Sequence, residues 1–212
     1  MTDDKLKQII LAAMPNCDVE KWLDSIRYAC NKWEITGERL CMFLAQIGHE
    51  ANDLNTLTEN LNYSVEALLR VFGRHRISHE DCHRYGRKAG QSANQQALAN
   101  ILYGGEWGFK HLGNDKYNDG WNFRGRGAIQ LTGRFNYRKC GKALGVDLLN
   151  NPEWLERDKR VCMEAACWYF SSRTRGTDIV QVTRQINGGS NGLEDRRQRF
   201  ERALKVLGGD SE

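Results

Sequence analysis

Residues 119 to 136 read Asp-Gly-Trp-Asn-Phe-Arg-Gly-Arg-Gly-Ala-Ile-Gln-Leu-Thr-Gly-Arg-Phe-Asn, and the glycines at 125, 127 and 133 keep this stretch from continuing as a helix. Lacking a Cβ, they open turns and close approaches that other residues avoid. Between them Ala128, Ile129 and Leu131 are expected to point into a core from a short strand, while Gln130 and Thr132, two apart, share its other face. That face reads as the floor of a polar cleft.

The rest of the chain reads as helix. Asp18 caps a segment whose apolar positions Trp22, Ile26, Ala29, Cys30 and Trp33 keep helical spacing. A helix over about 38–51 puts Leu40, Phe43, Leu44, Ile47 and Ala51 on one stripe. Ser64 and Ser78 are expected to start two more, and 93–102 and 135–144 read as further helices. Residues 158–171 are apolar on most sides and predict a central buried helix. The last helix, from about 193, carries Leu193, Phe200, Ala203, Leu204 and Leu207 on one face and ends at Gly208-Gly209.

With 212 residues, 2 prolines and no low-complexity linker, the chain predicts one compact domain over 1–212. The N-terminus Met-Thr-Asp-Asp-Lys-Leu-Lys-Gln lacks the apolar stretch of a signal peptide, and no apolar run is long enough to span a bilayer. Synthesis in the cytoplasm, without stable membrane insertion, is therefore expected. Seven cysteines without a CxxC pair read as reduced core thiols. A net charge of +4 favours a polyanionic partner, either nucleic acid or an acidic bacterial envelope.

General acid–base chemistry needs one group protonated and one ionised, and the acids near the end of the 38–51 helix are the candidates. Glu50 falls at the edge of the buried stripe of the 38–51 helix and near the negative end of its dipole; both favour a neutral acid. Glu59 lies beyond that helix in a polar segment where solvation is the simpler expectation. Asp53 competes as the second carboxylate, because a continued helix would stack it one turn from Glu50. Arg196, four residues before Phe200 on the apolar face of the last helix, calls for a buried carboxylate partner, Glu50 or a neighbour.

The glycine-rich run, together with Asp147-Leu-Leu-Asn-Asn-Pro152, Ile47-Gly48-His49-Glu50, Thr58-Glu59-Asn60-Leu61-Asn62-Tyr63-Ser64, and Ile186-Asn187-Gly188-Gly189 before Asp195-Arg196, closely resembles the signature of glycoside hydrolase family 19. That family contains the chitinases and related bacteriophage endolysins. The resemblance implies a mainly α, lysozyme-like, family 19 chitinase-like fold, two lobes flanking a substrate cleft with little strand. It also implies an inverting hydrolase without cofactor, with Glu50 as proton donor and Glu59 as general base. Thr132 falls on the hydroxyl residue that helps hold the attacking water. Gln130, Asn136 and Asn187 match cleft residues, each with a plainer role in tying its own loop, and Arg196 matches the carboxylate network. Phe135 departs from the family's usual tyrosine and lacks its hydroxyl.

Trp107, Trp121 and Tyr63 are candidates for stacking on sugar rings, or for the core. His75, His79, Cys82 and His83 have a spacing zinc can use, but nothing in the resemblance requires a metal, and none is expected. The leading expectation is an endolysin, a single catalytic domain over 1–212 with no separate wall-binding domain, that cuts β-1,4 bonds in peptidoglycan and lyses its host. It would act as a monomer in the periplasm and depend on a separate membrane-permeabilising protein. The nine-residue Glu50–Glu59 interval resembles the compact phage and bacterial members. A chitinase acting on β-1,4-N-acetylglucosamine polymers is the alternative. A noncatalytic wall-binding or nucleic-acid-binding protein, the latter through Arg124-Gly-Arg126-Gly, is a further one, although no nucleic-acid partner is expected.

Overall fold

The computed structural model describes residues 1–209. In chain order its helices are α1 (Asp3–Ala13), α2 (Val19–Lys32), α3 (Gly37–Glu50), α4 (Val65–Val71), α5 (His79–Tyr85), α6 (Gln95–Leu102), α7 (Gly105–Leu112), α8 (Asp119–Asn122) and α9 (Arg134–Leu144). They are followed by α10 (Trp154–Arg157), α11 (Lys159–Arg173), α12 (Ile179–Asn187) and α13 (Leu193–Gly208). Among the described residues, pairing between extended residues is limited to isolated bridges such as Thr58 with Arg126 and Arg126 with Leu131. The mainly helical expectation, with little strand, holds.

The chain divides into two compact units. The first comprises Met1–Leu57, Gly127–Gln130 and the segment from Glu153 onward; the second comprises Thr58–Arg126 and Leu131–Pro152.

In the first unit α3 is the hub. Every residue from Leu40 to Gly48 is buried, so this helix has no water-facing side along most of its length and must be covered all round. α13, α1 and α11 pack on it. Gly48 is required by that packing: a Cβ there would lie 2.8 Å from the Met14 Cγ and 3.0 Å from the Arg199 Nη1. α11, buried from Cys162 to Cys167 and again at Phe170, packs on α2. Its Phe170 meets Phe43 edge-on at 5.4 Å. Asp18 accepts from the Lys21 N–H at 3.2 Å, the cap expected for α2, a contact typically worth about 1 kcal/mol. All seven cysteines are free and buried.

In the second unit Leu61, Val65, Leu68, Ile77, Cys82, Leu98, Ala99 and Leu102 form one apolar cluster, with Tyr63 and Trp121 packed against it. Ser64 and Ser78 cap α4 and α5 as expected, accepting from the Ala67 and Asp81 N–H groups at 3.1 and 3.0 Å.

Residues 127–130 depart from the sequence reading. They form a tight turn rather than a strand. Gly127 and Gly133 have φ of +80° and +93°, and Gln130, between them, has φ +52°. A residue in the left-handed region breaks the two-residue alternation of side chains, so Gln130 and Thr132 do not share a strand face. The apolar part of the expectation survives, since Ala128, Ile129 and Leu131 are buried. Helices α1, α7, α8, α10 and α12 are additions. α12 contains Ile179, Val180, Val182 and Thr183, β-branched residues that lower helix propensity, and burial of Ile179, Val182 and Thr183 overrides it.

Candidate active site

Glu50 is the last residue of α3. Its Oε1 accepts from the Arg196 Nη2 at 2.5 Å. The Arg196 side chain, 1% exposed, also donates through Nη1 to the Gln46 Oε1 at 2.5 Å and through Nε to the Asn191 carbonyl at 3.3 Å. The arginine that the apolar face of α13 flagged therefore has the partner expected of it. Gln46, fully buried one turn before Glu50, was not anticipated; its Nε2 reaches the Thr183 hydroxyl at 3.4 Å. These contacts tie the Glu50 carboxylate to α3, α12 and α13 together, so its position does not depend on a flexible loop.

A second network lies on the same helices. The His49 Nδ1 pairs with the Asp195 Oδ2 at 2.7 Å, and the Arg199 Nε donates to the same oxygen at 2.7 Å. Burial works against ionised Asp195, but the hydrogen bonds from Arg199 and His49 outweigh it and hold the carboxyl below the usual aspartate range. Arg199 also donates to the Ala13 carbonyl at 2.9 Å and to the Asp53 Oδ1.

Asp53 is not stacked on Glu50. The helix stops, and Asn52, Asp53 and Leu54 take φ of +48°, +58° and +65°. The chain turns there and buries Asp53, whose Oδ2 accepts from the Asn16 backbone and side chain at 3.0 and 3.1 Å. With Arg199 on its other oxygen, Asp53 is an anchor between the segment after α1, α13 and the turn that ends α3. That geometry removes it from the competition for the second carboxylate.

Glu59 belongs to the second unit, and the expectation that it is simply solvated does not hold. Its backbone N–H donates to the Gly125 carbonyl at 3.0 Å, fastening it to the glycine-rich run. The Oε2 accepts from the Tyr103 hydroxyl at 3.0 Å, while the Oε1 is buried with no hydrogen-bond partner. Burial raises its affinity for a proton; Tyr103, the Gly125 backbone, Arg124 and Arg126 pull the other way without cancelling it. An unpartnered, desolvated carboxylate oxygen is a strong acceptor for a proton delivered by a bound molecule. Tyr103 itself is held protonated by burial and then by Glu59. No sequence pattern marked it.

The remaining candidates divide. Gln130 donates to the Gly127 carbonyl at 3.1 Å and Asn136 to the Thr132 carbonyl at 2.8 Å, both the loop-tying role rather than an open presentation. Thr132 and Asn136 are half-buried in the second unit, with Gln130 in the first. Asn187 is the exposed last residue of α12, ahead of Gly188 at φ +75°. Tyr63 meets Phe72 edge-on at 5.4 Å and feels the charge of Glu59. Trp121 carries the Arg124 guanidinium 3.6 Å from its ring centre. Phe135 is 48% exposed beneath the Lys139 ammonium. In the His/Cys motif, His79 and His83 stack on each other and Cys82 is buried, accepting from Arg74 at 3.0 Å.

Against known proteins, the family described as Chitinase class I matches residues 110–189. A Haemophilus influenzae "Glycosyl hydrolase family 19 domain-containing protein" is 36% identical over 171 residues, 80% of each chain. Among solved structures, chitinase C from Streptomyces griseus superposes with a TM-score of 0.57 at 20% identity, covering 94% of this chain and 90% of that one. A class IV chitinase from Zea mays gives a TM-score of 0.53 at 16% identity over 92% and 84% of the two chains.

Proposed function

The chain belongs to glycoside hydrolase family 19, and from that premise we propose that it is an endolysin-type hydrolase of the β-1,4 glycosidic bonds of peptidoglycan. In this reading Glu50 gives its proton to the leaving glycosidic oxygen as the bond to the anomeric carbon breaks. A water, held with the help of Thr132, attacks that carbon from the opposite face and loses its proton to Glu59. The anomeric centre inverts and both carboxyl groups are reset by solvent. The observation that carries the reading is the contrast between the two acids: Glu50 is held in place by buried Arg196, and Glu59 keeps one buried oxygen that no protein group bonds. The net charge of +4 supports a polymer bearing carboxylates over a neutral one. Acting on the periplasmic wall, such a protein relies on a separate membrane-permeabilising partner.

Chitin is the second substrate reading, favoured by the match to the family described as Chitinase class I. Turbidity of outer-membrane-permeabilised Gram-negative cells, followed beside chitin oligomers, separates the two. Clearing with little oligomer cleavage is the expected result; oligomer cleavage without clearing would move the protein to the chitinases. Retention of configuration in the first product would remove the single-displacement scheme.

The two acid roles are separable by pH. The Tyr103 hydroxyl stabilises ionised Glu59, so Tyr103→Phe, which removes that hydrogen bond to the charged form, raises the Glu59 pKa further. A base must be ionised, so the acidic limb of kcat/KM is expected to move to higher pH in this variant. Movement of the alkaline limb instead would make Glu59 the proton donor.

A further inference from the structure

Two adjoining hollows lie wholly within the second unit. The larger, about 850 Å³, is lined by Asn100, Asn114, Phe109 and Tyr117 among others. The smaller, about 430 Å³, is lined by His75, Arg76, Trp107, Lys110 and His111. They share Ile101, Gly104, Gly105 and Glu106 as a common wall, and Glu59 lines neither. Both volumes fall in the range of small-ligand sites.

Their chemistry differs. In the larger hollow the asparagines are already engaged: Asn114 donates to the Tyr103 carbonyl at 2.8 Å and accepts from the Arg134 N–H at 2.8 Å, and Asn100 accepts from the Trp121 N–H at 2.8 Å. The conspicuous open surface is aromatic, with Phe109 62% and Tyr117 94% exposed. Exposed rings of this kind present flat apolar faces to the C–H faces of sugars.

The smaller hollow is cationic. The Arg76 guanidinium lies 3.3 Å from the Trp107 ring centre and donates to the Leu102 carbonyl, so its charge is fixed in the wall. Trp107, Lys110 and His111 are spaced three and four apart on α7 and share one face. His111 stacks on Trp107 at 4.7 Å and its Nδ1 bonds the Trp107 carbonyl at 2.9 Å. Glu106, on the shared wall, is the one acid lining this hollow, against the two cations Arg76 and Lys110.

We propose that these hollows form a second glycan-recognition surface, in which sugar rings lie on Phe109 and Tyr117 while a carboxylate-bearing branch of the same strand enters the cationic hollow. This proposal rests on the peptidoglycan reading above. Chitin carries no such branch, whereas the peptide stems of peptidoglycan carry several carboxylates; the surface therefore selects the acidic polymer by pairing Arg76 and Lys110 with the stem. The aromatic hollow accepts either glycan.

The test measures calorimetric affinities for a disaccharide–tetrapeptide muropeptide and for neutral chitotriose, in a Glu50→Gln background that prevents cleavage. Lys110→Glu is expected to weaken muropeptide binding about tenfold or more, the cost of reversing a paired charge, and chitotriose binding much less. Lys110→Arg, which keeps the charge, is expected to retain the parent affinity. Equal muropeptide affinity in all three proteins, while the protein with Glu50 intact still clears cell walls, overturns this surface and leaves the substrate reading standing. No muropeptide binding by the parent and no clearing by the protein with Glu50 intact removes both together.

Discussion

Glu50→Gln and Glu59→Gln are each expected to lower kcat by about 10²–10⁴-fold, the range of a lost general acid or base, yet to move stability in different ways. Glutamine at 50 still offers Arg196 an acceptor but cannot ionise beside it, and the guanidinium is 1% exposed. A loss of about 1–3 kcal/mol follows, as for other hydrogen bonds to charged groups. At 59 the argument runs through the proton. The folded Glu59 pKa is raised by burial, so above the ordinary glutamate range the folded state holds more proton than the unfolded one. Wild-type stability therefore falls as pH rises through the interval from the unfolded to the folded pKa. Glutamine does not titrate. The stability of Glu59→Gln relative to wild type is expected to improve between pH 4 and pH 7, whatever the pH-independent cost of the amide. Thermal melts at the two pH values, beside kcat, read both effects. A difference that stays constant with pH would place Glu59 in water and remove the physical basis for its role.

The largest stability effect is expected at the acid that competed for catalysis. Asp53 is 1% exposed and accepts from Asn16 twice and from Arg199. Asp53→Ala leaves Arg199, whose side chain is 13% exposed, without one of its two carboxylates. Breaking a buried pair by removing one partner costs about 3–5 kcal/mol. For a chain of this length that lowers Tm by roughly 10 °C. The anchor joins the segment after α1, the end of α3 and α13, all in the first unit, so the melting of that unit reports it directly. Because neither Asp53 oxygen is open to substrate, kcat measured well below the lowered Tm is expected to stay within about twofold of wild type, in contrast to the losses expected of a catalytic acid. Unchanged Tm with lost activity would return Asp53 to the catalytic pair.

Much of the helix layout was legible because its determinants are local. Asp18, Ser64 and Ser78 cap the helices they were expected to start, and the stripe of α3 predicts its end to within a residue of Glu50. Arg196 was legible for a different reason: an arginine on an apolar face is costly unless paired, so its position demanded a carboxylate before any partner was known. The strand at 128–132 failed because apolar alternation was read across Gly127 and Gly133, whose positive φ, with that of Gln130, folds the segment into a turn. α12 was missed because its β-branched residues argue against the helix that their burial enforces.

The roles of the acids divide along the same line. Glu50, Asp53 and Glu59 could be nominated from residue type, helix phase and motif, all of which act over a few positions of chain. Which of them is pinned, which is an anchor and which keeps a desolvated oxygen was settled by Arg196 at 146 positions' distance, Asn16 at 37 and Tyr103 at 44. Contacts of that span leave no periodic trace in the chain. They arise when packing of α3 against α1 and α13, and of Glu59 against the loop before Gly127, excludes water and makes each buried polar atom find a partner or go without.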